Sequence, residues 1–184
     1  MIATLPLRLR NRLAETILAA LHDTAARREL AGLADEAGAR RWLAEDEARW
    51  ADPLTARARV ALAALADRPL LDRQAALRPV LDAAAALFDA GLFFEVHEVL
   101  EPHWAAAGGQ TRDALQGLIQ VAVAWQHLAN GNPAGARSLL AEGGARLHGA
   151  RLLGVDLEPF ARAAGEAAGR LAAGLPLMPP RFPH

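Results

Sequence analysis

The sequence predicts an all-α protein: an antiparallel up-and-down helical bundle with an additional N-terminal helical segment. Three observations carry this. Hydrophobic residues make up 53% of the 184 residues, and Ala and Leu dominate them. Aromatic residues are only 5% and Ile is rare, so the side chains that favour strands are scarce. Apolar positions recur at helical spacing, and short turns built from Gly, Asn and Pro separate the runs. Loops that short make successive helices antiparallel neighbours.

The elements follow in order. Leu9, Leu13, Ile17 and Leu21 recur every fourth position, so a first helix is expected from about Pro6 to His22. The charged stretch from Asp23 to Asp52 reads as surface helices anchored by Leu30, Leu33, Trp42, Leu43 and Trp50. Pro53 suits an early helical position, and Asp67-Arg68-Pro69 ends the helix it opens. A helix carrying Val80, Leu81, Ala84, Leu87 and Phe88 should stop at Asp89-Ala90-Gly91. The next should run from Leu92 to about Ala106. After the Gly108-Gly109-Gln110 turn, Thr111 is the expected N-cap of a third, with Asp113 in its first turn. Asn130-Gly131-Asn132-Pro133 combines a stop, a cap and a start. A helix with Leu139, Leu140 and Leu147 follows, then a last one after Asp156. The Pro-rich tail from Leu175 is expected to be loosely held. The division is therefore 1–75, an unassigned N-terminal helical segment; 76–150, a helical core; and 151–184, a C-terminal helix and tail.

Composition excludes several chemistries. There is no Cys, hence no disulfide framework, thiolate ligand or thiol nucleophile. There is no Tyr, all twenty cationic side chains are Arg, and Ser138 is the single serine, so Schiff-base chemistry on Lys and a tyrosine acid are absent. A formal charge of −1 gives no reason to expect a nucleic acid or an anionic membrane as partner. The stretch from Met1 to Leu9 is too short to read as a signal peptide, and Asp82 and Asp89 interrupt the most apolar run. The expected location is cytoplasmic.

The pattern that stands out is polar. Each helical residue advances about 100°, which places His97, Glu101 and Trp104 within about 60° of one another, between Phe93 and Phe94. Glu95, Glu98 and His103 point elsewhere and are expected to be solvated. On the third helix, Gln116, Gln120 and His127 share one narrow strip of a segment that is otherwise apolar nearly all round. Folding back at Gly109 sets Glu101 beside Gly117, and His97 beside Gln120 or Val121. His97, Glu101, Gln116, Gln120 and His127 are thus expected to converge in a buried polar pocket, with Gly117 permitting close approach there. Pro102 removes a helical N–H directly after Glu101.

These residues resemble a known family. His97, Glu101 and Trp104, in the run from Phe93 to Trp104, match the signature His, three residues, Glu, two residues, Trp or Tyr of the bacterial and archaeal family catalogued as domain of unknown function 309. Leu115 to Gln120, His127 and Asn130-Gly131-Asn132 are similar to its second block, so the resemblance covers residues 85–150 or so. The family has no established activity. The resemblance implies a divalent metal held through His97 and Glu101, with Trp104, Gln116, Gln120 and His127 in support.

Three functions fit. One is a pocket for a divalent metal or small ligand. Two protein ligands under-supply a tight zinc site, which draws three or four from His, Cys and carboxylate. A second is a helical protein–protein interaction module, although no repeat runs through the chain. The third is a structural homodimer whose polar groups form a hydrogen-bonded network with no ligand.

Overall fold

The computed structural model describes residues 4–184; Met1–Ala3, part of the stretch read above as no signal peptide, lie outside the described residues. The chain divides into two compact units, Met1–Ala76 and Leu77–His184. Among the described residues there are nine α-helices, one short 3-10 helix and a single two-stranded hairpin. The protein is all-α, and its helices pack on one another as a bundle does.

The first unit holds α1 (Leu7–Ala20), α2 (Thr24–Leu33), α3 (Glu36–Trp42), the 3-10 helix (Glu45–Trp50) and α4 (Ala51–Leu65). Leu9, Leu13 and Ile17 bury the stripe that their spacing announces, and α1 packs on α2 and α4, whose Leu30, Leu54 and Leu65 are buried too. Asp23 and Asp35 cap α2 and α3, each accepting from the backbone N–H groups of the second and third residues of its helix. Arg12 fastens the 3-10 region: its guanidinium lies 3.6 Å from the Trp42 ring centroid, donates to the Trp42 carbonyl at 2.7 Å and meets Glu47 at 3.4 Å.

The second unit is a chain of antiparallel neighbours: α5 (Leu77–Asp89), α6 (Phe93–Ala106), α7 (Gly109–Ala129), α8 (Pro133–Leu147) and α9 (Glu158–Ala172). Gly91 and Gly131 take positive φ at two of the turns, and Asn132 caps α8 through the Gly135 N–H with Pro133 at its first position. Between α8 and α9 the hairpin β1 (Arg151–Leu152) and β2 (Val155–Asp156) pairs Arg151 with Asp156 and Leu152 with Val155. Two-residue strands leave no periodicity to read, so the hairpin has no counterpart in the sequence pattern.

Three expectations need correction. Thr111 is not the N-cap of α7. Gly108 is the extended N-cap and Gly109 takes φ +52°, so the helix is capped three residues earlier and Thr111 lies inside it, exposed. Asp113 is accordingly past the first turn, 3.6 Å from Arg146. Gly117 does not serve an approach of α6 to α7. A Cβ there would lie 2.6 Å from Leu147 Cγ and 3.2 Å from the Gly143 carbonyl, so Gly117 and Gly143 let α7 and α8 close together. The Pro-rich segment is not loose. Phe182 is 1% exposed, its ring is centred 5.2 Å from that of Phe88 and 5.6 Å from that of Phe160, and its N–H donates to Asp89 Oδ1 at 3.0 Å.

Candidate functional site

The site starts on α6. This helix buries Phe93, Val96 and Leu100 together with Glu95, leaving His97, Glu98 and Glu101 on a partly open side. His97 is 29% exposed, Glu98 33% and Glu101 52%. Helical spacing sets Glu101 one turn after His97, with His97 Nε2 and Glu101 Oε2 4.0 Å apart. The other ring nitrogen, Nδ1, lies 2.9 Å from Glu98 Oε1. The Phe94 ring, centred 6.4 Å from the imidazole, lines one side. α6 continues through Pro102 to Ala106, and Pro102 lacks the N–H that would otherwise reach the Glu98 carbonyl.

These three residues form one group. His97, Glu98 and Glu101 each offer a ligand atom, and those atoms all lie within 4.8 Å of one another. The carboxylate at Glu98 accepts from His97 Nδ1–H in the arrangement that leaves the Nε2 lone pair facing Glu101. A carboxylate on one ring nitrogen fixes the tautomer and the orientation of the ring.

The structure places the remaining expected residues elsewhere, so the five groups do not share a single buried pocket. Gln120 faces α8: its amide donates to Glu142 at 3.2 Å and accepts from Arg146 at 3.2 Å, while Ser138 donates to the same Glu142 at 2.8 Å. His127 Nδ1 lies 2.9 Å from the Asn132 amide nitrogen, so it accepts, and it steadies the residue that caps α8. Gln116 is half-buried, and its side chain makes no hydrogen bond among the described residues. Trp104 carries the Arg112 guanidinium 4.2 Å from its ring centroid, and Arg112 donates to the carbonyls of Trp104, Ala105 and Ala107. The signature Trp therefore helps close the end of α6 rather than line the His97 group. The strip on α7 is real, but α7 has two helical neighbours, and its polar edge turns toward α8.

Two glutamates were misassigned. Glu98 was expected in solvent because it sits about 100° from His97 on a helical wheel. Neighbouring side chains of this length nevertheless meet by bending over the helix surface, and the sequence signal was simply their adjacency. Glu95 was expected in solvent too, yet it is fully buried and is the sole buried carboxylate among the described residues. Gln126, which the strip did not include, is also buried and donates to Asn130 at 3.0 Å.

Comparison with known proteins adds one finding. Residues 81–139 match the model of the family described as Domain of unknown function (DUF309). No curated protein and no solved structure matches the chain. The matched residues run from α5 through α6 and α7 into α8 and include His97, Glu98, Glu101 and Trp104. The similarity to the DUF309 family is confined to residues 81–139, a stretch that includes the histidine and glutamates of α6.

Proposed function

We propose that the protein binds a divalent metal ion on α6, between His97 Nε2 and Glu101, with Glu98 orienting the imidazole. The observation that supports this is the grouping of three ligand atoms within 4.8 Å on a single helical turn and its successor. Metal–nitrogen and metal–oxygen bonds of about 2.0–2.2 Å fit between two atoms 4.0 Å apart with small side-chain adjustment. Imidazole with carboxylate suits zinc, iron, nickel or manganese better than calcium. Two ligands from the protein leave the remaining positions to water or to an oxygen-bearing small ligand. Such an ion is exchangeable, and its bound water is available as an acid or a nucleophile.

The test uses chain purified without a polyhistidine tag and stripped of metal. Thermal unfolding with zinc, nickel, manganese or ferrous ion should show stabilisation that grows with concentration, reaching about 2.7 kcal/mol when the ion is at a hundred times its dissociation constant. His97→Ala should abolish the effect while leaving the helical circular dichroism intact. No stabilisation by any of the four ions, or equal stabilisation of His97→Ala, would overturn the assignment.

A further inference from the structure

We propose that residues 175–184 form a strap that unlatches from the second unit on its own, drawing Phe182 out of its ring pocket while α5 and α9 stay folded. The segment is held at two points. At its root, Arg170 donates to the Pro176 carbonyl at 2.9 Å, and the Leu175 N–H donates to the Arg170 carbonyl at 2.9 Å. At its tip, Phe182 sits among Phe88 and Phe160, and Asp89 takes the Phe182 N–H on one oxygen and Arg181 on the other at 2.9 Å. His184 Nδ1 then donates to the Phe182 carbonyl at 2.9 Å.

The middle is unsupported. From Leu177 to Pro180 no hydrogen bond ties the segment to the helices among the described residues. Met178 is 84% exposed, and a groove of about 510 Å³ lies between Ala163, Ala167 and Arg170 of α9 and the overlying Met178 and Pro180. Pro176, Pro179, Pro180 and Pro183 carry no N–H, so four of the ten residues offer no backbone donor to a neighbour. Prolines also stiffen the span, so that its anchors release together rather than residue by residue. Beyond its root, what holds it is one aromatic side chain and one carboxylate. The site so vacated is a ring-lined pocket with an acid at its mouth, which fits an aromatic side chain preceded by a cation, as Arg181-Phe182 supplies.

Amide hydrogen exchange on the full chain tests this. The Phe182 N–H should exchange at least about a hundredfold faster than the slowest amides of α5 and α9, because its opening is local. A second measurement uses a fluorescent peptide with the sequence of residues 175–184 and the full-length Phe182→Ala chain. The peptide should bind that chain at least about tenfold more tightly than it binds the unaltered chain, and Ala in place of Phe within the peptide should abolish binding. Equal protection of Phe182 and the slowest amides of α5 would overturn the proposal, as would failure of the peptide to bind a folded Phe182→Ala chain. Should Phe182→Ala not fold, exchange in the unaltered chain decides alone.

Discussion

Glu95 and Glu101 lie on the same helix in opposite circumstances, and conservative replacements separate them. Glu95→Gln keeps the shape but alters a fully buried acceptor, so a loss of about 1–3 kcal/mol is expected in denaturant unfolding. Glu101 is half exposed, and Glu101→Gln should change stability by no more than about 0.5 kcal/mol while removing the stabilisation by divalent ions. Glu98→Gln should keep binding but weaken it about tenfold or more in a metal titration, since an amide orients an imidazole less well than a carboxylate. The pairing of His97 with Glu101 was legible because residues four apart on a helix share a face. Glu98 was not, because a helical wheel records direction and ignores reach. Glu95 was not, because a wheel drawn for one helix says nothing about how many of its sides are covered.

Helices were legible to within a few residues wherever apolar spacing and a capping residue agreed. α1, α5, α6 and α8 follow their expected courses, and Asn132 caps α8 where the Asn-Gly-Asn-Pro run places a cap. The hairpin was not legible, because Leu153 at φ +49° occupies a turn position more typical of Gly or Asn. The role of Gly117 was misread because its contact partner, Gly143, lies on the following helix rather than the preceding one. Glycine substitutions put these contacts to measurement. At Gly143 a Cβ would stand 3.0 Å from the Gly117 carbonyl and 2.9 Å from Val121 Cγ2, so Gly143→Ala should destabilise by about 1–3 kcal/mol. At Gly165, within α9, a Cβ meets nothing within 4 Å, and Gly165→Ala should stabilise by about 0.5–1 kcal/mol. The cap of α2 adds a pH dependence. The N–H groups of Ala26 and then Ala25 hold the Asp23 carboxyl below its ordinary value of 3.8. Its folded value is lower than its unfolded one, so its contribution is fully present above the ordinary value and fades as pH falls through the depressed one. A carboxyl NMR titration should show that depression and lose it when the α2 cap is unfolded.

At the level of the whole molecule, composition was enough for the all-α class, and turn residues were enough for the order of helices in the second unit. The seating of Phe182 was beyond such reading: a run of prolines suggests a free segment, and the partner that holds it, Asp89, lies 93 positions earlier. That separation has a kinetic meaning. The helices of the second unit pack mainly on their sequence neighbours, a low-contact-order topology that folds fast. The clasp between Asp89 and Phe182 is the exception, closing most of the unit into a loop, and it can form only once α5 and α9 are already in place. Phe182 should therefore be unstructured in the folding transition state. Phe182→Ala should destabilise by about 3 kcal/mol, and stopped-flow chevrons should place nearly all of that in a faster unfolding limb with the refolding limb unmoved. Seen this way, the ten residues beyond Gly174 leave the speed of folding to the helices and lengthen the lifetime of the folded state.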